Sequence, residues 1–246
     1  MKRVNNLSAE WLRLAKEALV TPNRQVSPAV ATVIIESSAD LAPDLFRNDV
    51  DQLLDDCRYD STETVATTIF PYSLWNPRAP RSQLFDRYFA MSPIIRKRNP
   101  RGVYFERLMS YPGLKGRRGF NQLDRLITTY KHNNHRRSAL QATLLDPVKD
   151  LNSDARVQGF PCLQQVGFLP DHKTGKLTVV AYYPIQYLVR RAYGNYLGLL
   201  RLGQFVAHEL GFECNKLVCI AGAAVIEKHS RQIRELAAKY ESCDEI

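Results

Sequence analysis

Cys162 stands in the run GFPCLQQVGFL, Gly159 to Leu169, directly after Pro161 and at the start of a strand-like stretch. As a thiolate it would be a nucleophile able to add to an electron-poor carbon. As a thiol it would be a small apolar residue of a strand. Nucleophilic chemistry needs positive charge close by, because the thiolate must be populated near neutral pH. Three basic clusters, RKRNPRG, KGRRG and KHNNHRR, lie between Arg96 and Arg137. They sit beside Gly, Pro and Asn, so they read as loops or element ends and not as a basic helix lying along DNA.

The other cysteines narrow the choice. Cys57, Cys162, Cys214, Cys219 and Cys243 are odd in number and scattered, with no CxxC pair. That argues against a disulfide framework and against a zinc site, so no metal is expected. It fits a reducing, cytoplasmic setting. The 246 residues, 45% hydrophobic, suffice for one large core, and a single domain over 1–246 is the simplest expectation. No apolar run approaches the roughly 20 residues of a membrane span, and no signal peptide or membrane partner is expected. The formal charge of +9 favours an anionic partner without choosing which.

The elements that must position Cys162 follow from periodicity. Ser8 to Val20 has a helical apolar stripe with Ser8 as its cap. AVATVIIE (Ala29 to Glu36) is strand-like, and Leu45 to Cys57 reads as an amphipathic helix. TIFPYSLWNPRAPRSQLF reads as a Pro-rich connection. Asn121 to Asn133 reads as a helix capped by Asn121. RRSALQATLLD, FPCLQQVGFLP and GKLTVVAYYP are strand-like, the last two joined by the turn HKTG. Tyr187 to Leu210 reads as a long helix stopped by Gly211. NKLVCIAGAAVIE is a further strand, and Ser230 to Tyr240 a closing helix. Helices first, then strands flanking one long helix, predict an α/β or α+β domain.

Four stretches then stand in a telling order: GVYFERL, GFNQLDRLITTYKHNNHRRSALQATLL, FPCLQQVGFLPDHKTGKLTVV and AYGNYLGLLRLGQFVAHELG. In order and spacing they resemble the thymidylate synthase and pyrimidine nucleotide hydroxymethylase superfamily, most clearly over residues 104–229. The resemblance implies a mixed sheet packed with helices. It implies a homodimer acting on a pyrimidine nucleoside monophosphate, with methylenetetrahydrofolate as one-carbon donor. Cys162 matches the nucleophile that adds to ring carbon six, so that carbon five can be methylated or hydroxymethylated. Tyr104 matches a tyrosine that helps remove the carbon-five proton. Asn195 matches the amide that reads the base edge. Arg136 and Arg137 match a pair reaching the partner subunit's phosphate, and Arg24 matches a loop arginine folding over it. Gln165 lies near the position of a strand glutamine.

The departures are specific. The residue after the nucleophile is Leu163 and not histidine. A phosphate-binding Arg-Ser pair falls on Pro184 and Ile185, with Arg190 or Arg191 able to restore the charge. A folate-contacting aspartate falls on Tyr187. A sugar-binding His-x-Tyr pair falls on Val225 and Glu227. A nucleotide-binding homologue without catalysis therefore stays open. A basic nucleic-acid module that reuses the fold is the less favoured reading, and a polynucleotide partner is not expected.

Overall fold

Alternation along the strands fixes the sheet. In β2 (Ala29–Ile34) the side chains of Ala29, Ala31 and Val33 are buried, and Val30, Thr32 and Ile34 are exposed. β4 (Gln165–Asp171) buries Val166, Phe168 and Pro170. β5 (Lys176–Tyr187) buries Leu177, Val179, Ala181 and Tyr183. A period of two puts each buried set on one face. The computed structural model describes residues 6–112, 119–132, 137–151 and 161–240. Its strands form a six-stranded mixed sheet in the order β1-β6-β5-β4-β3, with β1 Gln25–Val26, β3 Gln141–Thr143 and β6 Glu213–Val225. β2 also pairs with β6. Only β5 and β6 run parallel; the other pairs are antiparallel.

The parallel pair needs a crossover, and α8 (Tyr193–Leu210) supplies it. A turn of π-helix, Leu188–Ala192, leads into it. Two glycines let α8 approach its neighbours. A Cβ on Gly203 would lie 2.4 Å from Val179 Cγ2 of β5. One on Gly194 would lie 2.5 Å from Val65 Cβ and 2.7 Å from the Thr62 carbonyl of α3 (Thr62–Ile69). Gly211 ends α8 in the left-handed conformation, φ 79°, as its place after the apolar stripe predicts.

Further helices cover the same side: α1 (Asn6–Val20), α2 (Leu45–Asp56), α5 (Tyr104–Met109), α6 (Gln122–Lys131) and α9 (Ser230–Lys239). Asn121 caps α6 as expected, its side chain accepting from the Asp124 amide at 2.9 Å. Ser8 does not cap α1. It is the third residue of the helix, fully buried, with its hydroxyl on Asp44 at 3.1 Å and Tyr193 at 2.8 Å.

The stretch expected as a Pro-rich connection is also corrected. It contains a short turn at Tyr72–Leu74, and α4 (Arg81–Arg98) begins inside it. That helix buries only Leu84, Phe85 and Tyr88, so it carries no apolar stripe to read. Within RRSALQATLLD only β3 is strand, and a single helical turn, α7 (Pro147–Asp150), follows. The long helix begins after Tyr187, which closes β5. One continuous apolar core joins these elements. Among the described residues no helix is long and apolar enough to cross a membrane.

Candidate functional site

Cys162 sits in a bend just before β4, not on a strand. The ladder runs one bond past the strand, with the Gln164 amide donating to the Tyr182 carbonyl at 3.0 Å. That bond is one residue off the register of β4, in which Gln165 pairs with Tyr182, so the ladder slips at Gln164 and regular pairing ends there. The residue before the strand is thereby left half-buried at its mouth.

Tyr104 opens α5 and reaches Cys162. Its hydroxyl donates to the sulfur and accepts from the backbone amides of Leu163 and Cys162. α5 is fixed at both ends. Arg96 Nε donates to Glu106 at 3.0 Å. Arg107, 3% exposed, donates to the Leu144 carbonyl at 2.7 Å and forms a forked pair with Asp150, Nη2 to Oδ1 being 2.7 Å. These ties hold Tyr104 against the bend.

Arg190 and Arg191, in the π-helical turn, bring the positive charge. Burial pushes the Cys162 thiol up, and Arg191, the Tyr104 hydroxyl and Arg190 pull it back only in part. Arg191 also bonds Asp60 at 3.1 Å. The Arg190 guanidinium lies 4.2 Å from the centre of the Tyr187 ring. Its backbone amide donates to Glu227 Oε1 at 3.2 Å. Glu227 thus caps the start of the long helix. Burial pushes its carboxyl up, against the backbone amides of Glu227, Arg190 and Val189. Its Oε2 is buried with no partner among the described residues.

Asn195 comes to the same level through the crossover. Gly203 lies on Val179, and α8 runs back along β5. Eight residues back along the helix is about 12 Å. Four residues on along the strand is about 13 Å. The two steps lead to Asn195 and Tyr183. Asn195 is 3% exposed, and its Oδ1 has no partner among the described residues. Comparison with protein-family models brings no match to this chain, and comparison with curated proteins brings none either.

The remaining expected residues divide. Arg24 is exposed in the loop before β1, in a left-handed conformation (φ 54°), and its carbonyl accepts from the Ile226 amide at 2.9 Å. That places the loop beside Glu227. Gln165 points to the opposite face of the sheet, where its amide donates to the Gln141 side chain. Its exposure follows from alternation: Val166 takes the inner face, so Gln165 cannot. Arg136 lies outside the described residues. The backbone of Arg137 opens a short helical turn, Arg137–Ala139, before β3.

The folate expectation meets a poor fit. A pterin presents several N–H donors and needs an anionic acceptor. Tyr187 holds the expected position and has its ring face covered by Arg190. Of the nearby carboxylates, Asp60 is engaged by Arg191, and Glu227 is turned to the helix amides through Oε1, with burial raising its carboxyl away from the anionic form. These residues do not build an anionic folate acceptor. The sequence does not mark Asp60 or Tyr183 as members of this cluster, and it gives Glu227 only as the residue in place of an expected sugar-binding tyrosine. The alternation of β5 marks Tyr183 as inward, but its neighbours come from distant segments.

Proposed function

We propose that the protein transfers a one-carbon unit, as methyl or hydroxymethyl, to carbon five of a pyrimidine nucleoside monophosphate through a covalent adduct of Cys162. The thiolate's electron pair forms the bond to ring carbon six, and the pair of the carbon five–carbon six double bond becomes an enolate centred on carbon five. Carbon five attacks the one-carbon electrophile at the formaldehyde level and gives up its proton to water, and the thiolate is expelled, which leaves a hydroxymethyl group; a methyl product needs in addition a hydride from a reduced donor. Tyr104 steadies the sulfur. Arg190 and Arg191 draw the phosphate, for which a guanidinium fork is suited. Asn195 Oδ1 accepts from a ring N–H. The observation that carries the reading is the contact of Tyr104 with Cys162, flanked by two arginines, with a buried amide oxygen, Asn195 Oδ1, that lacks a partner among the described residues. The raised thiol favours a second reading, nucleotide binding without catalysis. A reducing compartment suits both readings, since the described cysteines are free.

The test is incubation with UMP, dUMP, CMP and dCMP, each with methylenetetrahydrofolate or with formaldehyde, followed by product masses. A gain of one carbon on one nucleotide is expected. Binding with no mass change under any donor would replace this reading with the second one.

The homodimer belongs to the same proposal. The sheet face away from the helices carries Val30, Ile220 and Tyr182 in one register row, and Val218 beside Val180 in the next. Val30, Ile220 and Tyr182 are exposed. A flat apolar face of this kind suits a second copy of itself. Light scattering at micromolar concentration should give a dimer for the wild type and a monomer for Tyr182→Asp. A monomeric wild type would remove the dimer from the account.

A further inference from the structure

We infer that α1 guards the free edge of the sheet: Glu10 and Arg13 occupy the backbone groups of β2 through which a second copy of the chain would otherwise pair. The inference concerns the sheet edge and does not depend on the pyrimidine reading.

Among the described residues β2 pairs only with β6, so its other side is an edge of the sheet. The run Ala29 to Ile35, AVATVII, is rich in β-branched residues and holds no charge and no proline. An edge of that composition is a template for a further strand. The odd-numbered residues of this run face β6, as the Ile35 amide shows by donating to the Asn215 carbonyl at 2.9 Å. The backbone groups of Val30, Thr32 and Ile34 therefore point outward.

Side chains of α1 meet those outward groups. The Thr32 amide donates to Glu10 Oε1 at 2.8 Å. Arg13 Nη2 donates to the Val30 carbonyl at 3.0 Å. Asn6 Nδ2 donates to the Ile34 carbonyl at 2.7 Å. Asn6, Glu10 and Arg13 recur at helical spacing, so one face of α1 lies along the edge. Glu10 and Arg13 are also joined to each other, Nε to Oε2 at 2.8 Å and Nη2 to Oε1 at 2.9 Å. The joined pair meets an amide and a carbonyl two residues apart, as one residue of a parallel strand would. An incoming strand would have to displace this charged pair before it could pair with β2.

The opposite edge is closed in the same manner. The Gln122 side chain of α6 accepts from the Thr143 amide at 3.0 Å and donates to the Thr143 carbonyl at 2.8 Å. β3 is the last strand on that side among the described residues. Two helices far apart in the chain thus each present polar side chains to an outer strand. An ion pair near the surface contributes little to stability by itself. The place of Glu10 and Arg13 on the outward groups of β2 is what gives the pair an effect, and that effect is on association.

The experiment is light scattering of the full chain at micromolar concentration, with thermal melts to show that each variant is folded. Glu10→Ala combined with Arg13→Ala keeps the helix, since alanine is the best helix former. The average mass of this double variant should at least about double over that of the wild type, as second copies pair through β2. A folded double variant with the wild-type mass would overturn the inference. Adding Thr32→Pro removes an outward N–H and leaves the ladder to β6 in place. The mass should then return to the wild-type value. A folded proline variant that stays enlarged would overturn the inference, because the growth would run through another surface. Should the double variant not fold, Arg13→Ala alone frees the Val30 carbonyl and should raise the mass; an unchanged mass would overturn the inference. Should the proline variant not fold, hydrogen exchange of the β2 peptide in the enlarged variant decides. Exchange should slow as concentration rises, and exchange that does not change would overturn the inference.

Discussion

Cys162→Ser is expected to lose one-carbon transfer by at least about three orders of magnitude while binding the nucleotide nearly as the wild type does. Serine is close to cysteine in size, so the bend before β4 should keep its shape. Its hydroxyl ionises far less readily, and no general base stands ready to activate it. The neighbours are a tyrosine hydroxyl and two guanidinium groups, all of them donors. Binding should persist because its contacts come from Arg190, Arg191 and Asn195. Calorimetric titration with the substrate nucleotide separates the two quantities. A serine variant that keeps the wild-type rate would show that Cys162 is a structural thiol. In that case the change should cost only ~1 kcal/mol of stability.

Asp150→Asn should lower stability by about 3–5 kcal/mol, the cost of leaving a buried charge without its partner. Arg107 and Asp150 have side chains only 3% and 4% exposed. Asp150 also accepts from the Asp146 amide at 2.7 Å, and Arg107 Nη1, which bonds Asp150, donates to the Leu144 carbonyl as well. The pair therefore joins α5 to the segment after β3, and so holds Tyr104 in place. Surface pairs behave differently. Arg13 and Glu17 are both about half exposed, and their bond should be worth under about 1 kcal/mol. Thermal unfolding is the check, with an expected loss of about 10 °C for Asp150→Asn. A loss of less than about 2 °C would mean that the pair does not anchor α5.

Local rules carried much of the fold. The alternation of β2 and β5, the Asn121 cap and the Gly211 stop depend on neighbours in sequence, and each can be read there. α4 could not be read, because a helix that buries three side chains leaves no stripe. Ser8 misled for a related reason: its partners, Asp44 and Tyr193, are far along the chain, and a serine before an apolar run looks like a cap. The start of β4 is set by a slip of register against β5 at Gln164, which no reading of FPCLQQVGFLP by itself can weigh.

The site divides along the same line. Cys162, Tyr104 and Asn195 were picked out by their resemblance to one superfamily. The pairing of Arg191 with Asp60 spans 131 residues, and the cap of Glu227 on Arg190 spans 37. Such contacts arise from the crossover that returns α8 along the sheet. Gln164 and Gln165 stand side by side in sequence, and only the pleat decides which one faces inward.

The adduct can be tested without any one-carbon donor. If Cys162 adds to ring carbon six, carbon five becomes basic, takes a deuteron from solvent, gives up its own proton, and the thiolate leaves. The most direct measurement is therefore proton NMR of UMP, dUMP, CMP and dCMP with the protein in deuterium oxide. The account expects the carbon-five proton signal of one nucleotide to disappear with the wild type and to persist with Cys162→Ser. A carbon-five proton that persists with the wild type for all four nucleotides, while binding is measurable, would contradict it.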